Sequence, residues 1–307
     1  METNYIHIRQ NDGYQTRLFY YNASTEAVLG NVLLLHGMAE HHGRYLSFIQ
    51  ALCKEGFDVY AYDHRGHGTD KKLSELGFIA NHAGASIVTE DAFTICRYIK
   101  ENGRSDKLAV FGHSMGSLIL RCVIQQYHDL DAAIVSSSTM PPQAVSNAGI
   151  FFSNLTVLFR GPKKRSNFLN NLMFGGKPYT SLCVRTKFDW LTRNNTLVGK
   201  YMDDSYCGFL CTTSFYRDLA TLCKRASVKR NIVNARKDQP ILFLAGDKDP
   251  VGGNAKQILK LQQLHDALGF TAASTIIYPE ARHELLNELN AEEVMQDIFS
   301  FLHKHLA

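Results

Sequence analysis

A serine between two glycines, in the GHSMG sequence at residues 112–116, has the clearest chemical signature in this chain. The G-x-S-x-G spacing is typical of a sharp turn from a strand into a helix, which strains the backbone and exposes the hydroxyl of Ser114 as a nucleophile. Its context agrees, because residues 108–111 read as a buried strand and helical apolar spacing follows the serine. The same spacing also arises by chance in glycine-rich turns. A serine hydroxyl is a weak nucleophile, so the hypothesis requires a base and an acid elsewhere.

Two later segments of the chain end in residues that could act as acid and base. Residues 240–245 read as a buried strand followed by Asp247 and Asp249, and the strand predicted at residues 273–278 is followed by His283. A histidine beside the serine could take its proton, and an aspartate could hold the imidazole in the required tautomer. Serine, aspartate and histidine then follow one another in the order found in α/β-hydrolases, each after the carboxyl end of a strand.

The elements that position these residues alternate between strand-like and helix-like patterns along most of the chain. The predicted strands comprise residues 5–9, 14–21, 32–35, 59–62, 108–111, 132–135, 240–245 and 273–278. The first two are joined by Asn11-Asp12-Gly13, a strong signal for an antiparallel hairpin. The others are short, apolar and separated by helical segments, which indicates parallel strands covered on both faces. We therefore predict an α/β-hydrolase fold with a mostly parallel central sheet flanked by helices.

This alternation stops in the middle third of the chain. Residues 140–231 are rich in Phe, Leu, Asn and basic residues, and they contain irregular helical patterns but no convincing strand. We predict that this segment is an inserted, mainly helical cap, with residues 1–139 and 232–307 forming the two parts of the core. Its charge also differs, because residues 140–238 hold 16 Lys and Arg against 5 Asp, whereas the whole chain has a formal net charge of +4.

Composition limits the class of protein. A chain of 307 residues with 45% hydrophobic content has enough apolar side chains for one large core with an insertion. The first ten residues are polar and no apolar run approaches the length of a membrane span, so we expect neither a signal peptide nor a transmembrane helix. The seven cysteines are odd in number and mostly lie among apolar neighbours, which is typical of reduced residues in a cytoplasmic protein.

Four histidines in glycine-containing loops raise the question of a metal site: His36, His64, His67 and His113. The glycines already explain these motifs, and no acidic residues at metal-ligand spacing accompany them. We therefore expect no metal, no other cofactor and no nucleic-acid partner. The sequence does not indicate an oligomeric state.

Five segments together resemble one known family. They are LLLHGMAEHHGRY, YAYDHRGHG, FGHSMGS, LAGDKDPVG and YPEARHELLNE. In combination they are similar to the monoacylglycerol lipase and lysophospholipase branch of the α/β-hydrolases, which is grouped with the serine aminopeptidases. The resemblance covers most of the chain outside the cap. One position departs from the family pattern, since Asp70 stands where the family usually has Ser.

The resemblance implies catalytic roles for particular residues. The family's nucleophile and base correspond to Ser114 and His283. Its acid is the second aspartate of a D-x-D sequence, which corresponds to Asp249. Asp247 is then a turn-forming side chain that bonds local backbone.

The resemblance also implies an oxyanion hole. In the family it uses two backbone N–H groups, one after the His-Gly pair and one after the nucleophile, which correspond to Met38 and Met115. Backbone donors explain why side-chain identity at these positions matters little. Glu40 and Arg44 occupy family positions beside the first of these. They either pair to fix the shape of this loop or form an ordinary ion pair at the start of a helix, and the sequence favours neither.

The activity that the resemblance implies is a serine carboxylic ester hydrolase, with monoacylglycerol or lysophospholipid as the leading lipid-like substrates. The apolar residues 149–159 and 168–174 of the cap could form a wall for an acyl chain, although some of them must only attach the cap to the core. Two alternatives stay open. An aminopeptidase would need clustered carboxylates to hold an α-amine, and the cap has few acids. A non-enzymatic receptor would retain the triad without turnover.

A basic cluster, residues 160–165, directly follows the apolar run that ends at Phe159. An apolar face beside basic side chains suits the surface of an anionic membrane. The same charges could instead be ordinary solvated residues or a rim that attracts anionic substrates. We therefore expect a cytoplasmic protein, and peripheral membrane contact through the cap is one of these alternatives.

Overall fold

The computed structural model of the protein describes residues 4–307. Its strands are β1 (Asn4–Arg9), β2 (Gln15–Tyr21), β3 (Gly30–Leu35), β4 (Phe57–Tyr62), β5 (Leu108–His113), β6 (Ala132–Ser136), β7 (Ile241–Gly246) and β8 (Ala273–Tyr278). They form one sheet in the order β1-β2-β4-β3-β5-β6-β7-β8. β2 is antiparallel to both of its neighbours, β1 and β4, and all other neighbouring pairs are parallel.

Each strand predicted from the sequence is present, and the predicted fold class is confirmed. The turn at Asn11-Asp12-Gly13 joins β1 to β2, and the register of this hairpin pairs Ile6 with Leu18. Every residue of β3, β5, β6 and β7 is buried. This explains their continuous apolar sequences, because a parallel strand covered on both faces has no solvent side.

Helices cover both faces of the sheet. In chain order they are α1 (Leu46–Lys54), α2 (Gly84–Asn102), α3 (Met115–Val123), α4 (Gln143–Arg160), α5 (Asn167–Phe174), α6 (Lys177–Thr180), α7 (Asn195–Asp203), α8 (Thr213–Ser227), α9 (Lys229–Ile232), α10 (Lys256–Ala267) and α11 (Ala291–Leu306). α1 and α11 pack on one face of the sheet. α2, α3 and α10 pack on the other, where α8 joins them.

The insertion between β6 and β7 contains α4 to α9 and is mainly helical, as predicted. α4 lies along α8, and α8 also contacts α2 and α3 of the core. The face of α4 that meets α8 carries small residues. Ser146 and Ser153 are buried there, and a Cβ added at Gly149 would lie 3.2 Å from the Cβ of Ala220. Small side chains therefore allow the two helices to approach closely.

The opposite face of α4, called here the outer face, is apolar and exposed. It includes Phe151, Leu158 and Phe159, which expose 62%, 77% and 77% of their surface. A surface helix usually has the reverse arrangement, with its large apolar side chains turned toward the core. None of the helices within residues 4–307 is long and apolar enough to cross a bilayer.

Candidate active site

Ser114 lies at the turn between β5 and α3, where its backbone has φ 52° and ψ −116°. Positive φ at a non-glycine residue costs about 1 kcal/mol or more and persists only where the surroundings impose it. Here the turn is tight. A Cβ added at Gly116 would lie 2.1 Å from the carbonyl oxygen of Leu35, and one at Gly112 would lie 2.6 Å from the carbonyl oxygen of Gly116. Both glycines of the motif are therefore required by the turn.

Three residues from the carboxyl ends of different strands meet at this turn. His283, in the loop after β8, has Nε2 2.9 Å from the hydroxyl oxygen of Ser114 and Nδ1 3.0 Å from Oδ2 of Asp249. Asp249, in the loop after β7, is fully buried, and its Oδ1 accepts a hydrogen bond of 2.9 Å from the backbone N–H of Val251. When Nδ1 donates to Asp249, Nε2 is free to accept the proton of Ser114.

Asp247, the other candidate for the acid, does not contact the imidazole of His283. Its carboxylate lies 3.8 Å from Nζ of Lys248, and its backbone N–H donates to the carbonyl oxygen of Tyr278. The structure therefore pairs His283 with the second of the two aspartates that the sequence placed after β7.

His283 is buried and held on several sides. Its carbonyl oxygen accepts a hydrogen bond of 2.6 Å from the hydroxyl of Ser137, and the ring of Trp190 from the cap lies 5.2 Å from the imidazole, centre to centre. Burial by itself lowers the pKa of His283, but the carboxylate of Asp249 outweighs this effect and raises the pKa above its ordinary 6.5. The site therefore favours the protonated, imidazolium form of His283.

The predicted oxyanion donors also lie at this site. Met38 and Met115 line the same cavity as Ser114. Among residues 4–307, neither backbone N–H donates to a protein acceptor, so both are available to a substrate oxygen. Met115 is the first residue of α3, and the unpaired N–H groups at a helix N-terminus favour negative charge.

The loop that contains Met38, residues 37–41, is called here the oxyanion loop. Oε1 of Glu40 accepts a hydrogen bond of 2.5 Å from the backbone N–H of Gly37 and one of 2.8 Å from the hydroxyl of Tyr45. Oε2 of Glu40 accepts one of 2.5 Å from Arg44. Glu40 is 3% exposed, so this pair is a buried brace of the loop rather than a surface ion pair.

Arg44 also binds Glu284, a residue that the sequence analysis did not assign. Its Nη1 and Nη2 each donate to a carboxylate oxygen of Glu284 at 2.7 Å. Burial raises the pKa of Glu284, but the guanidinium outweighs it and lowers that pKa to about 2. Because Glu284 directly follows His283, Arg44 connects the oxyanion loop to the loop of the base. The sequence feature that could have identified Glu284 is the ARHELLNE segment, in which an acid directly follows the histidine.

Three of the histidines raised as metal candidates pack behind the oxyanion loop. Nε2 of His67 accepts a hydrogen bond of 3.1 Å from the backbone N–H of Ala39. Nε2 of His36 accepts a hydrogen bond of 3.0 Å from the backbone N–H of His64. Burial lowers the pKa of His67 to about 4 and that of His64 to about 3. These neutral rings act as hydrogen-bond partners for loop backbone.

Among the described residues, one group has its potential metal-binding atoms within 4.8 Å of one another: His41, Asp204 and Cys207. Zinc accepts these residue types. Nδ1 of His41, however, accepts a hydrogen bond of 3.2 Å from the backbone N–H of Gly43, so the proton is on Nε2, which donates to Oδ2 of Asp204 at 2.8 Å. A protonated nitrogen is not a metal ligand, and the group is therefore better described as a hydrogen-bonded contact between the oxyanion loop and the cap.

A cavity of about 730 Å³ opens above Ser114. Its cap wall includes Phe152 from α4, Leu172 and Phe174 from α5, and Trp190. The apolar segments predicted to form the wall are thus divided. Some of their side chains line the cavity, while the outer face of α4 points away from it. An apolar chain of substrate size fits a cavity of this volume and lining.

The chain is similar to known hydrolases over most of its length. A monoacylglycerol lipase from Mycolicibacterium smegmatis is 28% identical over 282 residues, covering 90% of this chain and 89% of the relative. A thermostable carboxyl esterase from Bacillus coagulans superposes with a TM-score of 0.90 at 22% identity over 100% of both chains. A monoglyceride lipase from Saccharomyces cerevisiae superposes with a TM-score of 0.78 at 20% identity, covering 100% of this chain and 96% of the other.

The resemblance inferred from the five sequence segments is confirmed, as is the prediction of a serine hydrolase. The sequence profile of the family described as serine aminopeptidase, S33, matches residues 26–290, which include the insertion between β6 and β7 and most of the rest of the chain. The chain with this serine turn and cap therefore belongs to the serine aminopeptidase, S33, family of α/β-hydrolases and is a serine hydrolase.

Proposed function

We propose that the chain hydrolyses carboxylic esters of lipid-like molecules through Ser114, His283 and Asp249. The observation that carries this proposal is a chain of two hydrogen bonds, 2.9 Å and 3.0 Å long, that ends on a strained serine below a large cavity. In this scheme residues 140–231 are the cap over the site, and residues 1–139 and 232–307 are the two parts of the core.

The proposed reaction has two halves. The hydroxyl oxygen of Ser114 attacks the ester carbonyl carbon while its proton passes to Nε2 of His283, and the N–H groups of Met38 and Met115 donate to the oxygen that becomes negative. The bond to the alcohol then breaks, His283 returns the proton to the leaving alcohol, and the acyl group stays on Ser114. Water hydrolyses this acyl-enzyme by the same route and releases the acid. Asp249 stabilises the imidazolium in both halves.

The charges beside the site favour an ester whose alcohol part is neutral. Glu40 and Glu284 both line the cavity and share a single cation, Arg44, so this group has a net negative charge. A phosphate placed against it would be repelled. Beside these acids a monoacylglycerol therefore fits better than a lysophospholipid, the other lipid class that the sequence favoured. Lys187, which also lines the cavity, is the cation that would offset this preference.

The same group argues against aminopeptidase activity on peptides. Within residues 4–307, the acids that line the cavity are Glu40 and Glu284, and both are already paired with Arg44. The net negative charge of this group would attract a substrate α-amine just as it repels a phosphate. All four carboxylate oxygens, however, already accept hydrogen bonds from the protein, so none is free to bind the amine. Family membership does not fix the substrate, because one fold supports several hydrolytic reactions.

The test of this proposal is a hydrolysis panel of esters with acyl chains from C2 to C18, including a monoacylglycerol, a lysophosphatidylcholine and an aminoacyl p-nitroanilide. We expect the monoacylglycerol to have the highest kcat/KM, and the aminoacyl anilide to be inert. A fluorophosphonate should label the protein once per chain, and the label should be lost in Ser114→Ala. Labelling that persists in this variant would show that another residue is the nucleophile.

We also propose that the cap contacts the surface of an anionic membrane. The outer face of α4 exposes Phe151, Leu158 and Phe159, and the exposed cations Lys163 and Lys164 follow directly after the helix. Each cation near an anionic bilayer contributes about 1 kcal/mol, and exposed aromatic side chains insert at the headgroup boundary. The predicted cytoplasmic location stays a prediction.

Vesicle binding tests this contact. The protein should co-sediment with vesicles that contain phosphatidylserine. Added salt should weaken this binding, because at physiological ionic strength charges more than about 8 Å apart are already screened and higher salt shortens that distance. The double variant Lys163→Glu, Lys164→Glu should bind vesicles less and hydrolyse vesicle-borne ester more slowly. The control is the double variant Lys229→Glu, Arg230→Glu, which makes an equal charge change at exposed positions of α9 and should behave like the parent. Equal binding to neutral and anionic vesicles would contradict the proposal.

A further inference from the structure

The oxyanion loop contains a residue in an unfavourable conformation. Ala39 has φ 54°, although it is not glycine. Such a residue costs about 1 kcal/mol or more, so neighbouring contacts must hold it in place. Ala39 directly follows Met38, the predicted oxyanion donor, and the direction of the Met38 N–H depends on the backbone of this loop. What holds Ala39 therefore controls one half of the oxyanion hole.

The backbone of Ala39 is held from the core on one side and from the cap on the other. Its N–H donates to Nε2 of His67 at 3.1 Å, in the core. Its carbonyl oxygen accepts two hydrogen bonds from the cap: 2.9 Å from the backbone N–H of Gly208 and 3.1 Å from the hydroxyl of Tyr201. Tyr201 is 6% exposed, and its ring lies 4.7 Å from the guanidinium of Arg44, which braces the same loop.

A second contact from the cap reaches the end of the loop. Nε2 of His41 donates to Oδ2 of Asp204 at 2.8 Å. Along the chain, Asp204 lies between Tyr201 and Gly208, the two cap residues that bind Ala39. Asp204 is not part of the cavity lining, so it does not contact a bound substrate. We name Tyr201, Asp204 and Gly208 together the cap clamp.

We propose that the cap clamp positions the oxyanion loop for catalysis, so that the cap takes part in the stabilisation of the transition state as well as covering the substrate. Tyr201 and Asp204 are positioning residues in this proposal, because they act through Ala39 and His41. Tyr201 also lines the cavity, so the KM of its variant separates this role from a contact with the substrate. The proposal rests on the proposed function, since it assigns Met38 as an oxyanion donor. It predicts that loosening the clamp lowers kcat and leaves ground-state binding intact, because the negative oxygen exists only in the transition state.

The experiment compares Tyr201→Phe, Asp204→Ala and the double variant with the parent on a short ester such as p-nitrophenyl butyrate. Tyr201→Phe loses one hydrogen bond, and Asp204→Ala loses two, from His41 and from the backbone N–H of Tyr206. We expect kcat to fall about fivefold to tenfold in each with KM within twofold, and the double variant to lose more than either. Affinity for a trifluoromethyl ketone, which forms a tetrahedral adduct with the serine, should fall by the same factor as kcat. Asp204→Asn keeps the side-chain volume but has one oxygen for two donors, Nε2–H of His41 and the backbone N–H of Tyr206, so kcat should fall as it does in Asp204→Ala.

Tyr206→Phe is the matched control, because Tyr206 is a cap tyrosine outside the cavity lining and its hydroxyl does not bind Ala39. It should keep the parental kcat. Parental kcat in both Tyr201→Phe and Asp204→Ala would overturn the proposal. So would a rise in KM at constant kcat, since that pattern would make Tyr201 a substrate contact.

Amide hydrogen exchange separates this proposal from the proposed function. In the double variant, the amides of residues 38–41 should exchange faster, while those of β3 should exchange as in the parent. This comparison needs no turnover. A parent that hydrolyses no ester and is not labelled at Ser114 would refute the proposed function, whereas unchanged exchange at residues 38–41 would refute the clamp.

Discussion

Replacement of Asp249 by Asn changes one oxygen of a buried side chain into an NH2 group at nearly constant volume. Both carboxylate oxygens are in use: Oδ2 accepts from Nδ1 of His283 at 3.0 Å, and Oδ1 accepts from the backbone N–H of Val251 at 2.9 Å. An amide has a single oxygen, so one of these two N–H groups must face the new NH2. We expect the bond to Val251 to survive, because a backbone N–H cannot lose its proton, whereas an imidazole can change its tautomer.

In that arrangement Nδ1 of His283 accepts from the new amide, and the ring proton moves to Nε2. Nε2 can then no longer take the proton of Ser114. We expect kcat to fall about 10⁴-fold, the size of loss that a wrong tautomer causes in a serine triad, which corresponds to about 5.4 kcal/mol at 1.36 kcal/mol per factor of ten. The pKa of His283 should also fall relative to the parent, because the Asp249 carboxylate that opposes burial is lost while Glu284 and Glu40 stay.

The assay is steady-state hydrolysis of p-nitrophenyl butyrate by Asp249→Asn and by Asp247→Asn, with thermal unfolding of each variant to show that it is folded. Asp247→Asn makes the same chemical change two residues away and should lose less than tenfold, since Asp247 does not contact the imidazole. A loss below tenfold in Asp249→Asn, or an equal loss in both variants, would refute the reasoning.

Two further outcomes follow from the charges at the site. His283 must be neutral to act as base, and its pKa is raised above 6.5. In a pH–rate profile, kcat/KM should therefore rise with pH through a single midpoint above 6.5, and EDTA should cause no loss of activity. A midpoint below 6.5 would contradict the ion pair between His283 and Asp249. Arg44→Met should leave Glu40 and Glu284 buried without a cation, which costs about 3–5 kcal/mol of unfolding free energy. In the parent the pKa of Glu284 is lowered to about 2, so this stabilisation is present above pH 4.5 and is lost as the pH falls toward 2. The difference in unfolding free energy between parent and variant should therefore be larger at pH 8 than at pH 4. Tyr45→Phe, which removes one neutral bond to Glu40, the other carboxylate that Arg44 binds, is the control. An equal difference at both pH values in Arg44→Met would contradict the assignment.

Local sequence predicted much of the site, because its main residues lie in short motifs whose geometry is set by neighbours in the chain. The two glycines beside Ser114 force the turn, and the strands before Asp249 and His283 end where apolar sequence ends. Since parallel strands share one edge for their carboxyl ends, strand order along the chain was enough to bring these residues together.

Contacts between distant segments were beyond the reach of the sequence. Arg44 and Glu284 are 240 positions apart, and Tyr201 lies 162 positions from Ala39. Neither pair has a local pattern that predicts it, because each depends on how the cap and the loops pack in three dimensions. The same applies to the order of the strands across the sheet.

The direction of the cap side chains was also only partly predicted. The apolar run at residues 149–159 suggested a wall for the acyl chain, but its small residues face α8 and much of its apolar side is exposed. Arg165, counted in the basic cluster, donates instead to the carbonyl oxygens of Leu210 and Leu73. A helical pattern gives the period of a helix, whereas the face that is buried depends on its partner.

Trp190 gives this enzyme a built-in optical probe. It is the single tryptophan of the chain, and its ring lies 5.2 Å from that of His283 in the wall of the cavity. A protonated imidazole quenches indole emission more strongly than a neutral one, so the fluorescence of the unlabelled protein reports the charge of the base directly. Displacement of water from the wall by an acyl chain would shift the same emission to shorter wavelength. Proton transfer and substrate entry can thus be followed in real time from one side chain, without a dye or a chromogenic substrate.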